Sequence, residues 1–181
     1  ALLALNACAP LNKPAPAQQW FSLSAVSAVK NSPGIATYSL RIAKIQAPHW
    51  LLGDGLYYRL AYRDALNLQP YGQSHWIAPP AQQLTQLLRA YLAERQQFSA
   101  VTTSEDPLRS DYELRLWLDD FSQVYTSTTA SHARLQAQAV LVDASRRVVA
   151  QTRWTLEQPA SGADALAGAE ALNQIGHQWI Q

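Results

Sequence analysis

Alternating apolar and polar residues predict several β-strands in this chain, because successive side chains of a strand point to opposite faces of its sheet. The clearest alternation runs from Tyr112 to Asp119, with Tyr and Leu on one face and mainly charged residues on the other. Similar patterns predict further strands at 20–26, 35–45, 56–62, 66–69, 98–103, 135–141 and 148–156. Short turn sequences separate the last three strands, which favours antiparallel neighbours.

Two stretches follow the helical period instead. Pro79 and Pro80 are tolerated in a first helical turn, and they precede an apolar stripe with helical spacing. The stripe consists of Leu84, Leu87, Leu88, Tyr91 and Leu92. A second amphipathic helix is predicted from Gly162 to Trp179. This order of elements predicts an α/β (α+β) domain in which two helices pack on a mixed, largely antiparallel sheet.

The composition and net charge of the chain limit the classes of protein to which it can belong. The chain has 181 residues, of which 48% are hydrophobic, and this suffices for the core of one domain. A net charge of +1 argues against a nucleic-acid-binding role. Residues 1–104 carry eight Lys/Arg and three Asp/Glu, whereas residues 105–181 carry six and ten. Halves of opposite charge are compatible with head-to-tail contacts, including contacts between copies of the chain. The alternative is that both halves belong to one sheet, where their electrostatic fields cancel.

The only cysteine, Cys8, follows a run rich in Ala and Leu. The sequence Leu5-Asn6-Ala7-Cys8 resembles the bacterial lipobox, whose cysteine receives diacylglycerol, although Asn6 departs from the usual small or apolar residue. Three prolines closely follow Cys8 and favour an extended, semi-rigid spacer. We therefore expect a residual signal peptide and lipobox over residues 1–8, a Pro-rich tether over 9–19 and a single domain over 20–181. Ala9, rather than Asp, implies sorting of such a lipoprotein to the outer membrane.

The middle of the chain resembles a known family. The segment Arg59-Leu60-Ala61-Tyr62 precedes a short hairpin, the segment His75-Trp76-Ile77-Ala78-Pro79-Pro80 and the leucine-rich helix. This order is similar to that of the bacterial ABC-type transport auxiliary lipoprotein family, which includes the paraquat-inducible lipoprotein C type. The resemblance covers about residues 20–180. Its motif residues in this chain are Arg59, Tyr62, Trp76 and Pro79, with one extra residue between Trp76 and Ala78.

The resemblance implies a three-layer fold similar to that of anticodon-binding domains or of the TolB amino-terminal domain. It also implies a non-enzymatic lipoprotein, without a cofactor, on the periplasmic side of the outer membrane. Such a protein works beside an ABC permease complex and a mammalian-cell-entry-type lipid-binding protein, and it is attached to the membrane through acylated Cys8. Self-association into a homo-oligomer would be compatible with this role.

Residues with catalytic or metal-binding chemistry are scattered. The four histidines, at positions 49, 75, 132 and 177, lack the local spacing of a zinc site, so the sequence predicts no metal. Ser74 and His75, with Asp54 or Asp64, could be combined as a hydrolase triad, but no G-x-S-x-G elbow is present. Two alternatives to the transport role stay open, a lipid-anchored hydrolase and a carrier that holds lipid in its own apolar cavity. A convergent polar trio would favour the hydrolase, and an apolar pocket of about 300 Å³ or more would favour the carrier.

Aromatic positions supply the remaining candidate contacts. Of the six tryptophans, four occupy apolar positions and are expected in the core; they are Trp20, Trp76, Trp154 and Trp179. Trp117 lies on the polar face of its strand, and Trp50 precedes Leu51 and Leu52 just before a glycine turn. We expect these last four residues to contact a partner or lipid. The alternative is that the loop containing Trp50 packs against its own sheet.

Overall fold

The computed structural model describes residues 17–27 and 36–181. Its strands and helices are β1 (Gln19–Phe21), β2 (Ser39–Ile42), β3 (Gly55–Leu60), β4 (Leu68–Trp76), α1 (Pro80–Arg95), β5 (Ala100–Thr103), β6 (Tyr112–Tyr125), β7 (Ser131–Asp143), β8 (Val148–Pro159) and α2 (Ala165–Ile180). A short 3₁₀ helix, His49–Leu51, lies between β2 and β3. The strands form one open, mixed and largely antiparallel sheet, and the two helices pack on it. The predicted fold class is therefore confirmed.

Strand β6 is the centre of the sheet. On one side it pairs antiparallel with β7 along its whole length, and β7 pairs with β8. On the other side its first half pairs parallel with β2 and its second half pairs parallel with β3. Strand β5 extends the sheet beyond β2, whereas β4 and then β1 extend it beyond β3. One side of β6 therefore carries two separate groups of strands.

A β-bulge between Leu118 and Asp120 explains why β6 is longer than predicted. The sequence alternation ends at Asp119 because the extra residue shifts the inward-facing positions by one. Beyond the bulge the strand continues to Tyr125, and Phe121 is 1% exposed. Because of this single extra residue, the alternation in the first half of β6 does not continue in phase into its second half, and the sequence pattern predicts too short a strand.

The predicted strand at 20–26 is wrong beyond Phe21. There, side chains of the two helices bind the backbone that would otherwise continue the strand. The Leu23 N–H donates to Gln83 Oε1 at 2.9 Å, and the Ser24 N–H donates to Asn173 Oδ1 at 2.8 Å. This segment therefore links the edge of the sheet to both helices.

Strand β4 is also longer than predicted, since the sequence pattern ended at Gln69 and the strand continues to Trp76. It passes through Pro70, which interrupts the sequence signal of a strand. Proline is tolerated there because β1 pairs only with Ser74–Trp76, so the outer edge of β4 has no neighbouring strand at Pro70.

Both helices lie on one side of the sheet. They approach each other where Leu84 of α1 faces Gly176 of α2, and α2 packs against β6, β7 and β8. Leu84, Leu88 and Tyr91 are buried, which confirms the predicted stripe of α1, while Leu87 and Leu92 flank it at partly buried positions. Alternate side chains of β7 pointing away from α2 are polar; they are His132, Arg134, Gln136 and Gln138. Strands β7 and β8 therefore expose polar side chains on the sheet face that is turned away from α2.

The tryptophans only partly follow the expectation. Trp76 is 1% exposed and packs between Phe21 and Phe121, and the buried Trp179 meets the half-buried Trp154 edge-on. The core prediction for Trp20 is wrong, because this side chain is 52% exposed. Its strand lies at the edge of the sheet, and its ring stacks on His75 with the ring centroids 5.0 Å apart.

Candidate functional site

A cleft of about 330 Å³ lies between the start of α1 and the loop that follows β2; we call it the α1 cleft. Three nearly buried apolar side chains contribute to its lining, namely Ile45, Leu51 and Ala81. Lys44 and Glu105 also line it, so the cleft combines an apolar floor with one charge of each sign. It is open to solvent rather than enclosed.

Local sequence explains both walls of the α1 cleft. Pro79 precedes the first residue of α1 and fixes the start of that helix, and the Gln82 N–H donates to its carbonyl oxygen at 2.9 Å. On the other wall the 3₁₀ helix turns the chain, with the Leu51 N–H donating to the Pro48 carbonyl at 2.9 Å. This turn directs Leu51 into the core, where it is 1% exposed, and leaves Leu52 at the surface, 52% exposed.

A second, shallower groove of about 260 Å³ lies beside the same loop and includes Trp117 and Asp119. The indole Nε1 of Trp117 donates to Gln46 Oε1 at 3.0 Å. The backbone of Gln46 also bonds to β6, because its N–H donates to Leu116 and its carbonyl accepts from Leu118. Segment 44–52 is thus fixed to the central strand and separates the two depressions.

The structure places the predicted contact residues around this segment. Trp117 is half-buried in the groove, Leu52 lines the α1 cleft, and Trp50 packs edge-on against Tyr57 at 5.1 Å. Leu51 is not available to a partner because it belongs to the core. The burial of Leu51 agrees with the alternative of a loop packed on its own sheet, and Leu51 contributes only to the floor of the α1 cleft. We call the outer side chains of segment 44–52 together with Trp117 the 44–52 surface.

The four motif residues do not form one site. Arg59 pairs with Asp120 at 3.1 Å, and Asp120 also accepts a hydrogen bond from Ser122 at 2.6 Å. Trp76 belongs to the core, and Pro79 lines the α1 cleft. Tyr62 lies in the turn between β3 and β4 and is 42% exposed. Arg59 and Trp76 therefore contribute to the stability of the fold. Pro79 and Tyr62 lie at the surface, where a partner could contact them.

Comparison of the sequence with models of known families identifies a match. The family model described as "ABC-type transport auxiliary lipoprotein component" matches residues 21–179. The chain belongs to this family. No curated protein matches its sequence.

Two crystal structures share the fold of this family member. Protein XCC0632 from Xanthomonas campestris is 22% identical, with a TM-score of 0.78 and 90% of each chain covered. A second structure, of an uncharacterized protein, is 17% identical with a TM-score of 0.70, covering 91% of this chain and 95% of the other. At these identities the similarity concerns the fold alone.

A buried polar network that sequence analysis missed holds α2 of this auxiliary lipoprotein against the sheet. Gln123 is 0% exposed and accepts a hydrogen bond from the Tyr71 hydroxyl at 2.8 Å. Its amide nitrogen donates to Ser131 Oγ at 2.8 Å and to the Asp164 carbonyl at 3.1 Å. Burial, together with the hydroxyl of Tyr125 2.6 Å away, raises the pKa of Tyr71 far above its ordinary value. Only the alternation of β6 beyond the bulge would have revealed that Gln123 points inward.

The residues of the hydrolase alternative do not converge. Ser74 Oγ donates to Gln19 Oε1 at 3.3 Å, and the ring of His75 stacks on Trp20. The backbone carbonyl of Asp54 accepts from the Trp76 N–H at 2.7 Å. Asp64, the other candidate acid, accepts from the Leu66 N–H in the turn between β3 and β4. In the described part of the chain, no hydrogen bond joins Ser74, His75 and either aspartate as a triad requires.

A metal site or a membrane-spanning helix would be recognisable within residues 17–27 and 36–181. No group of three or more His, Cys, Asp or Glu side chains lies close enough there to hold a metal ion. Neither helix in these segments has the length and hydropathy of a membrane-spanning helix. Cys8, the predicted lipidation site, lies outside the described residues.

Proposed function

We propose that this chain is a non-enzymatic lipoprotein that acylated Cys8 anchors to the periplasmic side of the outer membrane. There it serves as the auxiliary component of a lipid transport system that contains an ABC permease complex and a mammalian-cell-entry-type lipid-binding protein. The match of the family model over residues 21–179 is the observation that carries this proposal. The lipobox-like sequence Leu5-Asn6-Ala7-Cys8 supports the anchor, since two or three acyl chains hold a protein stably on a bilayer.

Within this proposal the 44–52 surface is the docking site of the partner protein. Leu52 and Trp117 are accessible apolar side chains beside charged residues, a composition typical of protein interfaces. The segment that carries this surface is bonded to β6 on both sides of Gln46, so it is already ordered before a partner binds. Such preorganisation lowers the entropic cost of association.

The anchor is tested by expressing the precursor with its signal peptide in a Gram-negative host fed an alkyne fatty acid. The wild type is expected to take up the label and to fractionate with the outer membrane. The Cys8→Ala variant should carry no label and be recovered in the soluble periplasm. Membrane retention of an unlabelled Cys8→Ala protein would contradict the anchor.

Partner docking is tested by copurification with the mammalian-cell-entry-type protein encoded nearest to this chain. Leu52→Arg combined with Trp117→Ala should lower the recovered partner by about tenfold or more, the effect of losing one or two interface anchors. Leu108→Arg is the matched control, because Leu108 is 58% exposed and does not line the α1 cleft or the groove. Equal loss in both variants would mean that the 44–52 surface is not the docking site.

The absence of enzymatic activity has its own test. Replacing Ser74, His75 and Asp54 together with alanine should leave complementation of a deletion strain intact, provided that the melting temperature is unchanged. A large loss of function in a variant of unchanged stability would instead favour the hydrolase alternative.

A lipid carrier is the second candidate function, because the α1 cleft has about the volume that such a role requires. Native mass spectrometry after incubation with phospholipid vesicles should then reveal one bound lipid. Ala81→Leu would add bulk to the cleft floor and should abolish binding. Spectra of the wild type without bound lipid would contradict the carrier role, and the adapter role would then be the only candidate.

A further inference from the structure

The turn between β3 and β4, residues 61–67, is the most exposed apolar feature in the described structure; we call it the hairpin tip. Leu66 is 92% exposed, and Tyr62 is 42% exposed. Arg63, also exposed, lies between them in the sequence. An aliphatic, an aromatic and a cationic side chain are therefore all presented at a single protruding turn.

Hydrogen bonds give the hairpin tip a defined shape. The N–H groups of Arg63 and Asp64 both donate to the Leu60 carbonyl at 2.8 Å. The carboxylate of Asp64 accepts from the Leu66 N–H at 3.0 Å, which holds the backbone of Leu66 in the turn. The exposure of Leu66 is therefore built into the turn rather than produced by a loose loop.

The direction of β1 shows where the chain enters the domain. Strand β1 runs parallel to β4, with Gln19 level with Ser74, so its amino-terminal end, which residues 17 and 18 precede, is directed toward the hairpin tip. Leu68, where β4 begins, precedes Ser74 by six residues, and this places the tip about 20 Å beyond Gln19 along the strand direction.

The length of the preceding chain is compatible with that distance. Nine peptide units join Cys8 to Ala17, and a fully extended chain of that length spans about 30 Å at most. A bilayer that holds the acyl chains of Cys8 therefore lies within reach of the hairpin tip. This step rests on the acylation proposed above.

The opposite end of the sheet cannot reach the same bilayer in this orientation. Leu60, beside the tip, is level with Tyr125 at the carboxyl end of β6. Val148 marks the opposite end of the sheet, because it pairs with Val142, which in turn pairs with Glu113 near the start of β6. Twelve residues of strand separate the two levels, which is roughly 40 Å. Val148 is 61% exposed and provides an apolar side chain of similar exposure at the far end.

We propose that the hairpin tip contacts the bilayer to which Cys8 is anchored. Leu66 enters the acyl region, while Tyr62 lies at the headgroup level, where amphipathic aromatic rings are enriched. The Arg63 guanidinium binds lipid phosphate. With the tip on the membrane, the end of β6 at Tyr125 is the end nearest the bilayer. Trp117 of the 44–52 surface precedes Tyr125 by eight residues, so it lies roughly 25 Å farther from the membrane, where a partner can reach it.

The test uses Cys8 as a chemical handle. Because it is the only thiol of the chain, the protein can be coupled to a maleimide-headgroup lipid in vesicles of phosphatidylethanolamine and phosphatidylglycerol. Hydrogen–deuterium exchange is then compared between coupled and free protein. Exchange in peptides covering 62–67 should slow by about tenfold or more, the factor that corresponds to the burial of one leucine. Peptides covering 144–149, at the far end, should be unchanged.

Matched variants identify the side chain responsible. Leu66→Ser should remove the protection of the tip, and Val148→Ser should leave it intact; both positions are so exposed that folding is not affected. The proposal is overturned by unprotected tip amides in the coupled wild type, or by protection that appears only after a partner protein is added. The coupling bypasses cellular acylation, so failure of this test and failure of the Cys8→Ala labelling experiment are independent results.

Discussion

Gly168 in α2 lies so close to Gln123 of β6 that a Cβ atom at position 168 would overlap the side-chain amide of Gln123. The first turn of α2 thereby approaches the sheet at the polar network of Gln123, Tyr71 and Ser131. Close approach of a helix backbone to a buried glutamine requires a residue without a side chain. This relationship fixes the distance of α2 from the central strand.

Gly168→Ala should destabilise the protein although alanine is the better helix former. Helix propensity alone would favour alanine by about 1 kcal/mol. Overlap with the fully buried Gln123 should outweigh that gain and lower the free energy of unfolding by about 1–3 kcal/mol net. Chemical denaturation measures the change. Gly176→Ala is the matched control, because its Cβ would meet only Leu84 Cδ2 at 3.4 Å, so the two variants should differ clearly.

Tyr71→Phe should make the protein less sensitive to high pH. Burial raises the pKa of Tyr71, so the contribution of this group to stability is present below its ordinary pKa of about 10 and is lost as the pH rises beyond it. At neutral pH the variant should be less stable by about 1 kcal/mol, since its hydrogen bond to Gln123 is lost. The stability difference from the wild type should narrow above pH ~10. A constant difference across that range would contradict the assignment, and Tyr38→Phe, at a half-exposed ring, serves as the control.

Glu113→Gln should reduce acid sensitivity. Hydrogen bonds from Arg115 and Arg41 lower the pKa of Glu113. A lowered pKa means that the stabilisation is present above the ordinary pKa of about 4.3 and is lost as the pH falls below it. The melting temperatures of wild type and variant should therefore converge between about pH 6 and about pH 3. Glu94→Gln is the control, because Glu94 is exposed and forms no ion pair in the described structure; it should show no such convergence.

Arg59→Met should destabilise the protein by about 3 kcal/mol, because it leaves the buried carboxylate of Asp120 without its cation. Adding Asp120→Asn should restore much of that loss, since the uncompensated charge is then removed. Denaturation of both single variants and of the double variant gives the coupling energy. Additive effects would show that the two side chains do not interact and would point to a different role for this motif arginine.

The sequence predicted the parts of the fold in which burial follows a regular period. The stripe of α1 and the alternation of β7 identify buried residues because each turn or pleat repeats the same environment. Tertiary contacts override that signal elsewhere. Gln83 and Asn173, on separate helices, end the first strand, and nothing near Leu23 in the sequence reveals them.

The candidate site also combines residues that the local sequence pattern predicted with features that depend on tertiary contacts. Residues 50–52 and Trp117 were recognisable because apolar side chains occurred at polar or turn positions. Which of them face outward depends on the 3₁₀ helix. Successive side chains of this helix point in different directions, so that Leu51 is buried while the next residue, Leu52, is exposed. The α1 cleft and the Gln123 network could not be predicted, because both assemble residues that are distant in sequence.

The pairing of one side of β6 with two groups of earlier strands also constrains when the domain can fold. Arg41 of β2 is level with Glu113, and Arg59 of β3 is level with Val124, so both early strands complete their pairing only after more than sixty further residues are available. Contacts of such long sequence separation form slowly and late. A chain that is still emerging from a ribosome or a translocation channel would therefore lack its central strand. Delayed closure of the sheet would leave β2 and β3 without their central partner, and the domain would become compact only once β6 and β7 had followed.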